Sequence, residues 1–216
     1  MEKSIEEIWE HHYASGDFAK LPWETNRPEE ELVRLIKQGK IERGKALDLG
    51  CGSGTHAIYL ARLGFDVTGL DISKSAIRIA KERARKEGVA AKFLVGNAFD
   101  LKFGSKSFDF VFDRGCFHHV PIGLRERYVQ GAHSLLRNNG KYHLICFSDR
   151  NNWKQEREEG KLFSVEKINS HFSKYFEIQE AKEVVHIQPN DGESVYLRSV
   201  LMSKKVPERM LYGSAV

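Results

Sequence analysis

The pattern of apolar and polar positions changes character twice along the chain. Residues 2–12 and 28–39 each show the three-to-four-residue spacing of a short amphipathic helix, with Pro22 and Pro28 marking the break between them. From residue 45 onward, short apolar runs alternate with helical periods. Strands are expected at 45–49, 65–70, 91–95, 108–112 and 141–147. Helices are expected at 55–63, at 73–87 (stopped by Gly88), and at 122–138 (ended by Asn139-Gly140). Beyond residue 160 a helix at 164–172 precedes two strand-like segments, 175–186 and 194–203. A Pro189-Asn190-Asp191-Gly192 turn joins them as a hairpin. Strands separated by helices of this length give a parallel sheet covered on both faces, here closed by an antiparallel C-terminal hairpin. The fold class is α/β.

The first strand runs directly into Asp48-Leu49-Gly50-Cys51-Gly52-Ser53-Gly54, and a helix opens at once. Glycines at alternate positions allow a sharp turn and a close approach of backbone to ligand. In an open α/β sheet this turn lies at the carboxyl end of the first strand, where ligands bind. The spacing is GxGxG, not the GxGxxG of the dinucleotide fingerprint. Seventeen residues past Gly54 the second strand ends in Asp71-Ile72, and a carboxylate there can accept both hydroxyl hydrogens of a ribose. Ser73 is available to cap the next helix, so Asp71 is not needed for that purpose. Asn97 and Ala98 follow the third strand, where a short polar residue beside small ones can meet an adenine edge.

These segments together resemble the class I S-adenosylmethionine-dependent methyltransferases. LDLGCGSG at 47–54 is similar to that family's glycine-rich motif, VTGLDIS at 67–73 to its acidic ribose motif, and GNAFDL at 96–101 to its adenine-side motif. FDFVFDRG at 108–115 and LLRNNGKYHLICFS at 135–148 are similar to its fourth-strand motif and fifth-strand region. The resemblance covers about residues 40–150. It implies a Rossmann-like seven-stranded sheet with a reversed last strand, and S-adenosyl-L-methionine as cofactor with S-adenosyl-L-homocysteine as product. Trp9, Tyr13, Phe18 and Pro22-Trp23-Glu24, with Asp113-Arg114-Gly115-Cys116-Phe117-His118-His119-Val120-Pro121, further resemble the group of thiopurine, thiol, halide and tellurite methyltransferases. By that resemblance residues 1–30 form a helical lid over a methyltransferase domain at 31–216. Trp23 packs near the methionine end and Tyr13 faces the methyl group. The implied cofactor-binding set is Tyr13, Trp23, Gly50, Cys51, Gly52, Asp71, Ile72, Asn97, Ala98 and Asp113.

Methyl transfer from a sulfonium is an in-line displacement, and the protein gains most by holding nucleophile and methyl group close, aligned and dry. A soft anion such as a thiolate needs no dedicated base, and no catalytic triad is found. Candidates for a supporting role after the fourth strand are Asp113, His118 and His119. Asp113 can face the methionine amino group through its carboxyl or its backbone carbonyl. Adjacent histidines in extended backbone point opposite ways, so at most one of the pair is expected to face the pocket. That one can take a proton from a thiol or hydroxyl near neutral pH. No further ligand stands at helical or hairpin spacing from the pair, so no metal is expected. Arg114 either binds an anionic acceptor or pairs with an acid.

Composition narrows the partners. The 216 residues carry 34 Lys+Arg against 30 Asp+Glu, and 11% are aromatic, which excludes disorder. The charge is unevenly placed. Residues 1–32 hold nine acidic and three basic side chains, and the rest hold 21 acidic and 31 basic, so an acidic leading segment can lie across a basic body. The densest basic run, Lys74 to Lys92, has helical apolar spacing and no interleaved aromatics. It reads as a solvated helix face rather than a nucleic-acid surface. Cys51, Cys116 and Cys146 match neither a disulfide framework nor a CxxC site and read as plain buried thiols. The acidic N-terminus is no secretory signal, and no apolar run is long enough to cross a bilayer. A small-molecule methyltransferase of the cytoplasm, acting on sulfur or another soft nucleophile, is therefore expected. The alternatives are an RNA or protein methyltransferase on the same core, or an NAD-binding Rossmann module. The loop after the fourth strand lacks the Asn/Asp-Pro-Pro-Tyr/Phe/Trp motif of base-methylating enzymes. The GxGxG spacing and Asn97-Ala98 argue against NAD.

Overall fold

The computed structural model describes residues 3–16, 18–151, 160–188 and 192–206. Seven strands form one sheet: β1 (Lys45–Leu49), β2 (Asp66–Asp71), β3 (Lys92–Val95), β4 (Phe108–Arg114), β5 (Leu136–Phe147), β6 (Phe176–Ile187) and β7 (Ser194–Lys204). Their order is β3-β2-β1-β4-β5-β7-β6. The first five strands in that order are parallel, and β7 runs antiparallel to both β5 and β6. The hairpin expected at the C-terminus is present in its strands, while the turn residues Pro189, Asn190 and Asp191 lie outside the described residues.

Helices cover both faces, as the near-continuous apolar runs of inner parallel strands require. On one face α2 (Glu30–Lys37), α3 (Thr55–Arg62) and α4 (Lys74–Lys86) bury Leu32, Leu35, Ala57, Ile58, Ile77 and Ala80 against β1, β2 and β4. On the other, α5 (Arg125–Leu135) and α6 (Val165–Phe172) bury Tyr128, Val129, Ile168 and Phe172 around the fully buried Phe117. Burying a side chain of that size stabilises by about 1.5–3 kcal/mol. Helix α1 (Ile5–Ala14) opens on a capping box between Ser4 and Glu7 and packs its Tyr13 on Ala76 and Ile79 of α4.

One expected boundary is corrected. The helix expected at 122–138 ends at Leu135, preceded by a 3-10 turn at Ile122–Leu124. Leu136 already pairs with Phe108, and the next partners are Phe110 and Lys141, so residues 137–140 stand opposite Asp109 as a bulge. Asn139, at φ 68°, and Gly140 punctuate that bulge rather than the helix end. Arg137 reaches both oxygens of Asp109 at 2.8 and 2.9 Å and holds the irregular stretch in register.

Candidate active site

The glycine loop sits between β1 and α3, at the point where strand order reverses between β1 and β4. Gly50 and Cys51 donate their backbone N–H groups to the Leu70 carbonyl at 2.8 and 3.0 Å, tying the loop to the end of β2. Gly52 donates to Asp71 Oδ2 at 2.8 Å, and Ser73 donates to Asp71 Oδ1 at 2.9 Å. Burial raises the Asp71 carboxyl above its ordinary value against the pull of these amides. Ser73, as expected from sequence, caps α4 by accepting from Ala76 N. Gly52, at φ 54°, is closely covered by the leading segment: a Cβ there would stand 2.5 Å from the Tyr13 hydroxyl. Past β3, Asn97 Oδ1 accepts from Phe99 N at 2.9 Å, which fixes the Asn97-Ala98-Phe99 turn against the same cavity.

The leading segment lies over this loop. Trp23 Nε1 donates to the Tyr13 hydroxyl at 3.0 Å, and that hydroxyl donates to Glu24 Oε1 at 3.1 Å. Glu24 in turn accepts from the Ser53 hydroxyl and from Ser53 N. Glu10 accepts from the Ser73 and Ser75 hydroxyls at 2.8 and 2.6 Å and from Ser75 N at 3.1 Å, at the N-terminus of α4 where a carboxylate is favoured. Sequence reasoning named Glu24 only within the Pro22-Trp23-Glu24 resemblance, with no role of its own, and missed Glu10, although the acidic bias of residues 1–32 pointed to both. Arg83, read as part of a solvated basic face, instead reaches the Ser53 carbonyl at 3.1 Å and the Thr55 hydroxyl at 3.0 Å, supporting the loop from behind.

Residues after β4 depart most from expectation. The Asp113 carboxyl does not face the cavity. It points into the core, where it accepts from the hydroxyls of Tyr128 (2.6 Å) and Tyr142 (2.8 Å) and from the amides of Cys116 (2.9 Å) and Phe117 (3.3 Å). Both oxygens are spent on bracing the loop, and burial lifts the group to about 6. His118 and His119 are not in extended backbone: Phe117–His119 form a 3-10 turn, and both rings line the cavity, 4.4 Å apart edge to face. The expectation that at most one of them faces the pocket is thereby corrected. Phe147 N donates to His118 Nδ1 at 3.3 Å, which puts the proton of the neutral ring on Nε2. Burial holds His118 well below its ordinary value and His119 at about 4, so both are uncharged at neutral pH. Arg114 pairs with the partly buried carboxylate of Glu29, and its Nη1 reaches the Trp23 carbonyl at 3.4 Å.

Tyr13, Trp23, Glu24, the glycine loop, Asp71, Asn97, Arg114, His118 and His119 border one cavity of about 210 Å³. One end holds Gly50, Gly52, Asp71 and Asn97. The other is walled by rings: Trp9 meets His119 at 4.8 Å and Trp23 at 5.5 Å, and Phe147 stacks on His118 at 3.9 Å. His56 and His186 border it as well, and neither was singled out from sequence, because a lone histidine on a helix or an edge strand carries no spacing signal. The three cysteines are free thiols. Among the described residues no group of three or more His, Cys, Asp or Glu is placed to hold a metal ion, and no helix is long and apolar enough to cross a membrane.

A methyltransferase-domain family model matches residues 46–140, from β1 through the bulge of β5. A Schizosaccharomyces pombe protein described as an uncharacterized methyltransferase is 31% identical over 128 residues, 59% of this chain and 88% of that one. The chain belongs to the class I S-adenosylmethionine-dependent methyltransferases. This methyltransferase is also 34% identical over 130 residues to 2-heptyl-1-hydroxyquinolin-4(1H)-one methyltransferase of Mycobacteroides abscessus, covering 60% of this chain and 57% of that enzyme. It is 28% identical over 140 residues to "Probable thiol methyltransferase 2" of Arabidopsis thaliana, covering 64% and 61%. The aligned stretch thus spans less than two thirds of either enzyme's length. Among solved structures, one titled "Conversion of a Disulfide Bond into a Thioacetal Group during Echinomycin Biosynthesis" superposes with a TM-score of 0.84 at 26% identity, over 96% of this chain and 95% of that one.

Proposed function

We propose that this methyltransferase transfers a methyl group from S-adenosylmethionine to a sulfur or other soft nucleophile on a small, flat molecule in the cytoplasm. The observation that carries this reading is the single cavity joining the glycine loop to a chamber walled by aromatic and uncharged imidazole rings. Its volume suits small molecules, and relatives named for a quinolone and for thiols, with a structural neighbour titled for a disulfide-to-thioacetal conversion, support it.

The residues present fit the cofactor. The backbone of Gly50, Cys51 and Gly52 borders the cavity, and Asp71 beside it is a buried carboxylate that keeps lone pairs beyond its two amide bonds. Gly50, Cys51 and Gly52 would hold the methionine part, Asp71 and Ile72 the ribose, Asn97 and Ala98 the adenine edge, and Tyr13 and Trp23 would cover the methionine end. The Asp113 backbone carbonyl, not its carboxyl, is the part left to meet the amino group. When bound, S-adenosylmethionine supplies an electrophilic methyl group on a sulfonium whose charge disperses during transfer. Trp9, Trp23 and Phe147 keep water from that point, which favours the dispersed charge. His118 presents an N–H rather than a lone pair at Nε2, and His119 is a weak base, so the acceptor is one that arrives already ionised. Residues 1–30 act as the lid over the 31–216 domain, and Glu10 and Glu24 are the clasps that hold it.

Rates with benzenethiols, phenols and anilines of matched shape test the soft-nucleophile reading. The S-methyl product is expected to form fastest. A phenol or aniline methylated at least about tenfold faster than its sulfur analogue would overturn it.

A further inference from the structure

The cavity is also bordered by polar groups that the proposed methyl transfer does not use. His56, on α3, is buried and its Nε2 has no hydrogen-bond partner. His186, on the edge strand β6, likewise has a buried Nε2 without one. Both rings border the cavity, and both lie in the field of the same partly buried ion pair, Glu29 with Arg114. An imidazole nitrogen buried without a partner leaves a hydrogen-bonding position that a molecule in the cavity can fill.

We propose that His56 and His186 form an acceptor subsite that takes an uncharged hydrogen-bonding group, a carbonyl or hydroxyl carried on a flat ring, and so selects among acceptors. The inference rests on the small-molecule reading above, not on its choice of sulfur.

The charge of the group follows from the pair beside it. The Arg114 guanidinium is already matched by Glu29, whose carboxyl it holds below the ordinary range in spite of burial. An anionic group would therefore bring a second negative charge beside Glu29 and gain little from Arg114. A cation would meet the guanidinium. The imidazoles themselves are uncharged at neutral pH, because burial and Arg114 hold His56 at about 3 and push His186 in the same direction. A neutral ring offers one N–H or one lone pair, which suits a dipole. Ile145 and Phe147, which line the same cavity, suit the flat ring that carries it.

Calorimetric titration of the S-adenosylhomocysteine complex with quinolin-4(1H)-one and with quinoline tests this. The two are flat and alike in size, and only the first carries a ring carbonyl. The wild-type complex is expected to bind the ketone at least about tenfold more tightly. His56→Leu and His186→Phe are each expected to cut that preference below about threefold while leaving S-adenosylhomocysteine affinity unchanged. No preference in the wild type, or a preference retained in both variants, would overturn the proposal. If His56→Leu fails to bind S-adenosylhomocysteine, His186→Phe on the edge strand decides alone. Binding is read without turnover, so failure of every sulfur acceptor would sink the soft-nucleophile reading and leave this result standing.

Discussion

Asp71 Oδ2 accepts a hydrogen bond from the backbone N–H of Gly52 at 2.8 Å, joining the carboxylate at the end of β2 to the middle of the glycine loop. The ribose-binding acid and the loop expected to carry the methionine part therefore form one unit. Asp71→Ala removes the acceptor of two amides and the proposed ribose ligand together. S-adenosylhomocysteine binding is expected to weaken by about 1–3 kcal/mol, the cost of leaving such partners unmatched. Equal affinity in a calorimetric titration would contradict the ribose assignment.

Gly52→Val places a branched side chain at a positive φ and 2.5 Å from the Tyr13 hydroxyl. Loss of S-adenosylhomocysteine binding is expected, with a circular-dichroism spectrum that still shows the α/β fold. A variant that binds normally would mean the cofactor does not pass over Gly52.

Much of this was legible in the chain. Parallel strands buried on both faces are nearly continuous apolar runs, so β1, β2 and β4 announced themselves, and GxGxG followed by Asp71 fixed the end of the sheet at which to look. What escaped was long-range pairing of single side chains. Asp113 sits in a motif that suggests ligand contact, yet Tyr128 and Tyr142, remote in sequence, draw its carboxyl into the core. The same holds for Arg83, which a local charge count assigns to solvent but which bonds to Ser53. His118 and His119 misled because their orientation was inferred from extended backbone, whereas Phe117–His119 form a 3-10 turn.

Asp113 carries a pH signature. An unfolded aspartate titrates near about 4, and burial lifts the folded group to about 6. The folded chain therefore holds this proton more tightly. The resulting contribution favours folding below about pH 4 and is lost as pH rises through about 6, on the order of 3 kcal/mol in all. Asp113→Asn abolishes the titration and offers one oxygen where two accept four bonds. It is expected to be less stable than wild type by about 1–3 kcal/mol at pH 7, with a larger gap at pH 4.5. Urea unfolding at both pH values measures this, and a gap that is constant or wider at pH 7 would contradict it.

His119, held at about 4, is uncharged across neutral pH and weak as a base. The pH at which kcat/KM rises should accordingly follow the acceptor's own ionisation, moving with a series of benzenethiols of different acidity. His119→Phe should keep that dependence. An inflection fixed near 6–7 for every acceptor, and lost in His119→Phe, would restore a histidine base.

Glu10 clasps α1 to the start of α4 through Ser73 and Ser75. Glu10→Ala should speed amide exchange over residues 5–14 and raise the KM for S-adenosylmethionine severalfold with little change in kcat. Unaltered exchange and KM would remove the lid from the account.

The most direct test supplies S-adenosylmethionine labelled on its methyl group together with a benzenethiol, a bulk RNA and a denatured protein mixture in one reaction. Label recovered in the extractable thioether, and not in either polymer, is the predicted result. Label in RNA or protein with none in the thioether would contradict a small-molecule, soft-nucleophile enzyme.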